Sequence, residues 1–111
     1  MDGGENKRRA KRKDLPCALK VRFAGQDNYT NLAVKNVSAL GLRVIVVRLI
    51  KAGDYLEIKL RINGRDIQCK CKVVWALLLS FCLGNLSSFD VGLEFHEIST
   101  EDREFLAKLT E

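Results

Sequence analysis

The residues of this chain best equipped for chemistry fall into two groups. The first is Asn36-Val37-Ser38-Ala39-Leu40-Gly41, which places a carboxamide, a hydroxyl and a glycine between two strand-like runs. Asn and Ser side chains at turns bond to nearby backbone, and Gly adopts conformations that other residues resist. Taken alone, the stretch predicts a strand-to-strand turn. The second group is Arg8, Arg9 and Arg12, inside the run Lys-Arg-Arg-Ala-Lys-Arg-Lys. Guanidinium groups carry planar donor forks that match phosphate oxygens and stack on aromatic faces.

Other reactive groups are few. Four cysteines (Cys17, Cys69, Cys71, Cys82) accompany a single histidine, His96. Cys69 and Cys71 lie in a strand pattern, which points both thiols to one face ~6.5–7 Å apart. A zinc site needs two further ligands at loop spacing. The expectation is buried, reduced thiols and no metal. His96 follows Phe95 at a strand end and is expected at the surface. The phosphate-binding Walker loop, the dinucleotide glycine fingerprint and Gly-x-Ser-x-Gly are all absent. No carboxylate pair stands out for acid–base work, so the chain is not expected to be an enzyme.

The totals frame these groups. A chain of 111 residues with 47% apolar and 30% charged side chains predicts one globular domain with a real core. Nothing near the N-terminus resembles a secretion signal. The most apolar stretch, Val73 to Leu83, falls well short of the ~20 residues that a spanning helix needs. A soluble, cytoplasmic protein is expected. The net charge is +5, but residues 1–13 carry +4 of it and residues 14–111 only +1. Residues 1–13 therefore read as a flexible basic arm, and residues 14–111 as the folded body. By composition the arm reads as a solvated basic tail; if the chain has an anionic partner, nucleic acid or a membrane surface on charge alone, it is met there.

The body must be built from strands. Leu15, Cys17, Leu19, Val21 and Phe23 alternate with polar residues, and a turn cluster at 24–28 follows. Tyr29 to Lys35 forms a second strand. Leu42 to Leu49 forms a third, apolar on both faces at its centre. Leu56, Ile58, Leu60 and Ile62 alternate with Glu57, Lys59 and Arg61, then Asn63-Gly64 signals a type I′ hairpin. The return strand places Ile67, Cys69, Cys71, Val73 and Trp75 inward. Residues 76–83 are apolar without period two, consistent with a strand extension or a short helix. Their large side chains either pack on the domain or form a contact surface around Leu78, Leu79 and Phe81. Phe89, Val91, Leu93 and Phe95 resume the alternation, with Asp90 and Glu94 outward and Gly92 marking a bulge or a close approach. Ser99 is the N-cap of a final helix, with Phe105, Leu106 and Leu109 as its apolar stripe. The sum is a mainly all-β fold: a six-stranded antiparallel barrel with a C-terminal α-helix.

In order and spacing, Arg8-Arg9-Ala10-Lys11-Arg12 and Asn36-Val37-Ser38-Ala39-Leu40-Gly41 resemble the paired Arg-x-x-x-Arg and Asp/Asn-x-Ser-x-x-Gly signatures of the PilZ domain family. The resemblance extends to Gly41-Leu42-Arg43-Val44, Ala52-Gly53-Asp54-Tyr55-Leu56, Val73-Val74-Trp75 and Val91-Gly92-Leu93-Glu94-Phe95, and covers residues 7 to 110. It implies the same barrel-plus-helix fold and, as ligand, the bacterial second messenger cyclic di-GMP. It also implies that Arg8 and Arg12 grip phosphate and guanine, with Arg9 auxiliary. Asn36 and Ser38 then contact a guanine, and Gly41 lets the backbone turn closely. Asn36 stands where Asp is commoner in the family, which removes a charge-assisted acceptor for guanine N–H groups.

The implied function is a cytoplasmic bacterial receptor whose arm closes over cyclic di-GMP and alters contacts with a downstream protein. Two alternatives compete. One is a PilZ-like interaction module that binds no nucleotide and works through the 77–83 surface. The other is a small nucleic-acid binder using the arm, with affinity falling steeply in salt. The inward placement of most aromatics leaves no stacking platform for the latter.

Overall fold

The computed structural model describes residues 16–81 and 87–111. The strands are β1 (Cys17–Phe23), β2 (Thr30–Val37), β3 (Gly41–Val46), β4 (Tyr55–Ile62), β5 (Arg65–Phe81) and β6 (Ser87–Glu97), followed by helix α1 (Thr100–Leu109). The strands close into a barrel in the order β1-β2-β3-β6-β5-β4, every neighbouring pair antiparallel. The mainly β fold expected from the alternation, a six-stranded antiparallel barrel with a C-terminal helix, is the fold observed.

Period-two alternation sends one set of side chains inward on each strand. Leu19, Val21 and Phe23 of β1 meet Leu56, Ile58, Leu60 and Ile62 of β4 in the core, with Ile67, Cys71 and Val73 of β5 beside them. Val44 and Val46 of β3 and Val91 and Leu93 of β6 complete the filling. The β4–β5 hairpin turns on Asn63 (φ 51°) and Gly64 (φ 80°), the two positive φ values a type I′ turn demands.

Cys69 and Cys71 are both buried on one face of β5, as their spacing predicts, while Cys17 is half-buried. The hydrogen bond with Cys69, then burial, push the Cys71 thiol well above its usual range. His96 is exposed, its ring edge-on to Tyr55 at 5.1 Å between centroids.

Helix α1 starts at Ser99, whose side chain accepts from the Asp102 backbone N–H at 3.1 Å. The Asp102 carboxylate does not close a capping box; it accepts from Arg65 Nε at 2.9 Å. Arg65 also lies over the Phe105 ring, 5.0 Å from its centroid. Leu106, fully buried, packs into the core cluster, with Phe105 and Leu109 against it. The helix is thus fastened to the start of β5.

Two expectations are corrected, and one left open is decided. The third strand ends at Val46 rather than continuing to Leu49, because Val47 and Leu49 are exposed and bend away. The apolar stretch after Trp75 is strand as far as Phe81, paired with β6, not a helix. Trp75 does not point into the core. An irregularity between Val73 and Trp75 inserts Val74 as an extra residue, so inward and outward positions exchange across it. Ala76 then packs on the core and Trp75 faces outward.

Candidate functional site: the outer face of β2, β3, β6 and β5

The same bulge builds the candidate site. Trp75 of β5 pairs with Gly92 of β6, Gly92 pairs with Arg43 of β3, and Arg43 pairs with Asn36 of β2. Arg43 alternates with the buried Leu42 and Val44, so it stands on the outside. Asn36, Arg43, Gly92 and Trp75 therefore form one row across four adjacent strands. A second irregularity, between Val34 and Asn36, sets Asn36 in register with Arg43.

Gly92 makes the row close-packed. A Cβ there would lie 2.3 Å from the Trp75 indole nitrogen, so the ring rests directly on the β6 backbone. The Arg43 guanidinium lies 5.9 Å from the Trp75 ring centroid, within cation–π range. The Asp90 carboxylate, only 6% exposed, accepts from Arg43 Nε at 2.9 Å and from its terminal NH2 nitrogen. That paired contact fixes the guanidinium plane and leaves its other terminal nitrogen, with two donor positions, without a partner among the described residues. The hydrogen bond from Arg43 holds the Asp90 carboxyl below the usual carboxylate range, and the same bond raises Arg43.

The turn at one end of the row is made by Ser38. Its hydroxyl accepts from Leu40 N–H at 3.1 Å and Gly41 N–H at 3.2 Å. Its own N–H donates to the Gly41 carbonyl at 2.9 Å. Ser38 is buried, with 6% of its surface exposed, so its hydroxyl shapes the turn. Gly41 is required for a different reason from the one expected. Its φ is not positive; instead a Cβ there would meet the Leu93 carbonyl oxygen at 1.9 Å, because β3 and β6 approach closely. Leu40 O accepts from Phe95 N–H at 2.9 Å and locks the turn onto β6.

Asn36 and Ser38, expected as site residues, are thus neighbours at one wall, half-buried and buried respectively, with Gly41 beneath them. Arg8, Arg9 and Arg12 lie outside the described residues, as does the whole 1–13 arm. Among the contact residues expected beyond the barrel, Leu78 and Leu79 are exposed at 55% and 52%. The Phe81 side chain lies outside the description.

Sequence reasoning missed Arg43 and Asp90, and of the two places open to Trp75, the ligand surface or the core, it favoured the core. Arg43 was legible as the polar member of Leu42-Arg43-Val44. Trp75 was not, because a straight period-two count from Ile67 carries it inward.

Among the described residues, no group of three or more His, Cys, Asp or Glu side chains is placed to hold a metal ion. No described helix is long and apolar enough to cross a membrane.

Fold and site together define a small antiparallel barrel that offers an arginine, an indole and a carboxamide on its outer wall. The family model for the PilZ domain matches residues 6–111, nearly the whole chain, and the chain belongs to the PilZ domain family. No curated protein sequence matches it. Solved structures with the same fold include the Bacillus subtilis inhibitor of motility MotI/DgrA, with TM-score 0.72 and 18% identity. They also include the K. pneumonia MrkH–c-di-GMP complex, at 0.72 and 13%. A third is the PilZ domain of YcgR from Escherichia coli with c-di-GMP, at 0.68 and 9%. The alignments cover 94%, 93% and 94% of this chain, but 49%, 49% and 88% of the other chains. The chain therefore spans about half the length of MotI/DgrA and of MrkH.

Proposed function

We propose that this chain is a cyclic di-GMP receptor, and that the nucleotide lies on the Asn36–Arg43–Gly92–Trp75 row with the basic arm closing over it. The observation that carries the reading is the row itself, where an indole, a fixed guanidinium and a carboxamide stand side by side on the outer wall. Cyclic di-GMP offers two phosphates and two guanines. A guanine stacks on an indole face, its O6/N7 edge accepts from a guanidinium fork, and its N–H groups donate to a carboxamide oxygen. Family membership and the c-di-GMP complexes among proteins of the same fold support the ligand class.

Roles follow from placement. Arg43 presents its free terminal nitrogen to guanine or phosphate while Asp90 holds its plane. Trp75 supplies the stacking surface. Asn36 reads guanine N–H groups, and Ser38 with Gly41 keeps the turn out of the way. Arg8, Arg9 and Arg12 supply the charge that the site otherwise lacks for a dianion, with Arg9 auxiliary. Ordering the arm costs ~1–2 kcal/mol per fixed residue, whereas a hydrogen bond to a charged group contributes ~1.5–3 kcal/mol. Two clamping arginines with several donors each are of the size needed. The closed arm then presents a changed surface to a downstream protein. This is a binding role, with no bond made or broken.

Trp75 is the single tryptophan of the chain, so its emission reads the site directly. Titration with cyclic di-GMP is expected to quench it and to release heat in calorimetry, and Arg12→Ala is expected to weaken binding at least about tenfold. A folded wild-type sample that shows neither signal at tens of micromolar nucleotide overturns the reading.

A further inference from the structure

Barrel closure gives every strand a neighbour on both sides, except where one strand outruns another. β5 is 17 residues long, β4 is 8 and β6 is 11. The β4 pairing ends at Tyr55 opposite Lys72. The last backbone bonds on that side join Val73 to Gly53 and Asp54, at 2.8 Å each. Beyond Val74, β5 keeps β6 on one side through Phe81 opposite Ser87. On its other side, among the described residues, no strand accompanies residues 75–81.

This overhang lacks most of the devices that normally blunt a free edge, the irregularities opposite β6 at Val73/Trp75 and Leu78/Ser80 being the exception. From Val73 to Phe81 it holds no charge, no proline and no glycine. Leu77, Leu78 and Leu79 are exposed at 62%, 55% and 52%. Leu77 pairs with Asp90 and Leu78 with Phe89, so leucines project from both faces of the ribbon. Open backbone groups flanked by apolar side chains on both faces are completed by another β-strand with apolar residues.

We propose that the overhang pairs with the overhang of a second copy of this chain, antiparallel about a two-fold axis near Leu78. Charge decides for a second copy. A two-fold contact about Leu78 sets Leu77 against the copy's Leu79, Ala76 against its Ser80 and Trp75 against its Phe81, so every facing pair is uncharged and the strand is complementary to itself. At seven residues the overhang also matches an ordinary strand in length. Pairing makes a four-stranded sheet, β6-β5-β5-β6, across the axis and shields the leucines of both copies from water.

Sedimentation velocity of the full chain between about 1 μM and a few hundred micromolar tests this. The expected result is a monomer–dimer equilibrium insensitive to salt, because the contact is uncharged. Leu78→Lys sets like charges against each other at the axis and raises the dimer Kd at least about tenfold. Leu78→Thr, a good strand former, keeps the fold and weakens the dimer less. Hydrogen exchange on the wild type gives a readout that needs no variant: amides within residues 75–80 become protected as concentration rises. A wild type that stays monomeric throughout overturns the proposal. A dimer that survives Leu78→Lys in a folded sample, or that leaves these amides unprotected, overturns it too. None of these outcomes depends on nucleotide binding.

Discussion

Replacing Gly92 by alanine separates the site from the fold. The added Cβ would lie 2.3 Å from Trp75 Nε1 and 2.4 Å from its Cε2. Unstrained contacts need ~3.5–4 Å, so one partner must retreat by more than ~1 Å. The Cβ points outward from a buried strand backbone, and the obstructing group is a half-exposed side chain, so the indole moves and the strand stays. Overpacking of this kind costs ~1–3 kcal/mol in a closed core; here the ring has solvent to move into, which favours the low end. Alanine also restores ~0.5–1 kcal/mol relative to glycine within a strand. The net loss is about 1 kcal/mol or less, a melting shift of only a few degrees for a domain of this size. The site changes more. The indole leaves the β6 backbone and its place beside Arg43, so Trp75 emission shifts to the red and quenching by acrylamide rises. Cyclic di-GMP affinity falls about tenfold as the stacking surface is displaced. Unchanged emission together with full nucleotide affinity would refute the placement of Trp75 on Gly92.

The other predictions concern neighbouring residues. Gly41→Ala places its Cβ 1.9 Å from the Leu93 carbonyl oxygen, a backbone atom that cannot swing away; β3 and β6 must part, and thermal melting falls by at least 10 °C or so. Ser38→Ala leaves the Leu40 and Gly41 N–H groups without their acceptor; the expected loss is about 1–2 kcal/mol in urea denaturation, with Ser38→Thr recovering part of it. Asp90→Asn removes the anion that holds Arg43. Arg43 lowers the Asp90 carboxyl from its ordinary value of 3.8, so its contribution is present in full above that value and disappears as pH falls through the lower folded value. Wild type and Asp90→Asn should therefore differ in stability at pH 7 and converge as pH falls below the carboxyl's lowered folded value, as chemical denaturation across pH will check. Asn36→Asp converts a neutral acceptor into a charged one beside Arg43 and is expected to tighten cyclic di-GMP about three- to tenfold by calorimetry.

The elements were legible to different degrees, and for identifiable reasons. The β4–β5 hairpin is almost wholly local: strict alternation and Asn63-Gly64 each demand one geometry, and both appear. Helix α1 is local as well, with Ser99 capping the helix as expected. At the turn, Asn36, Ser38 and Gly41 were recognised, but the need for glycine was attributed to its own dihedral angles. The actual constraint is the Leu93 carbonyl, more than fifty residues away in sequence. Arg43 and Asp90 looked like two unrelated polar residues until β3 and β6 paired.

Amino-acid order alone therefore determined the strand count, the closing helix, the core-facing positions up to Val73 on β5 and the concentration of basic charge in the first 13 residues, because alternation, turn chemistry and charge act over a few residues. Tertiary structure decided which outward residues meet. One inserted residue, Val74, reverses the facing of β5 from Trp75 to Leu78, where a second irregularity follows, and carries Trp75 from the expected core to the outer row. Period-two counting cannot detect such an insertion, since a bulge is stabilised by the partner strand: Gly92 on β6 leaves the space that the indole fills.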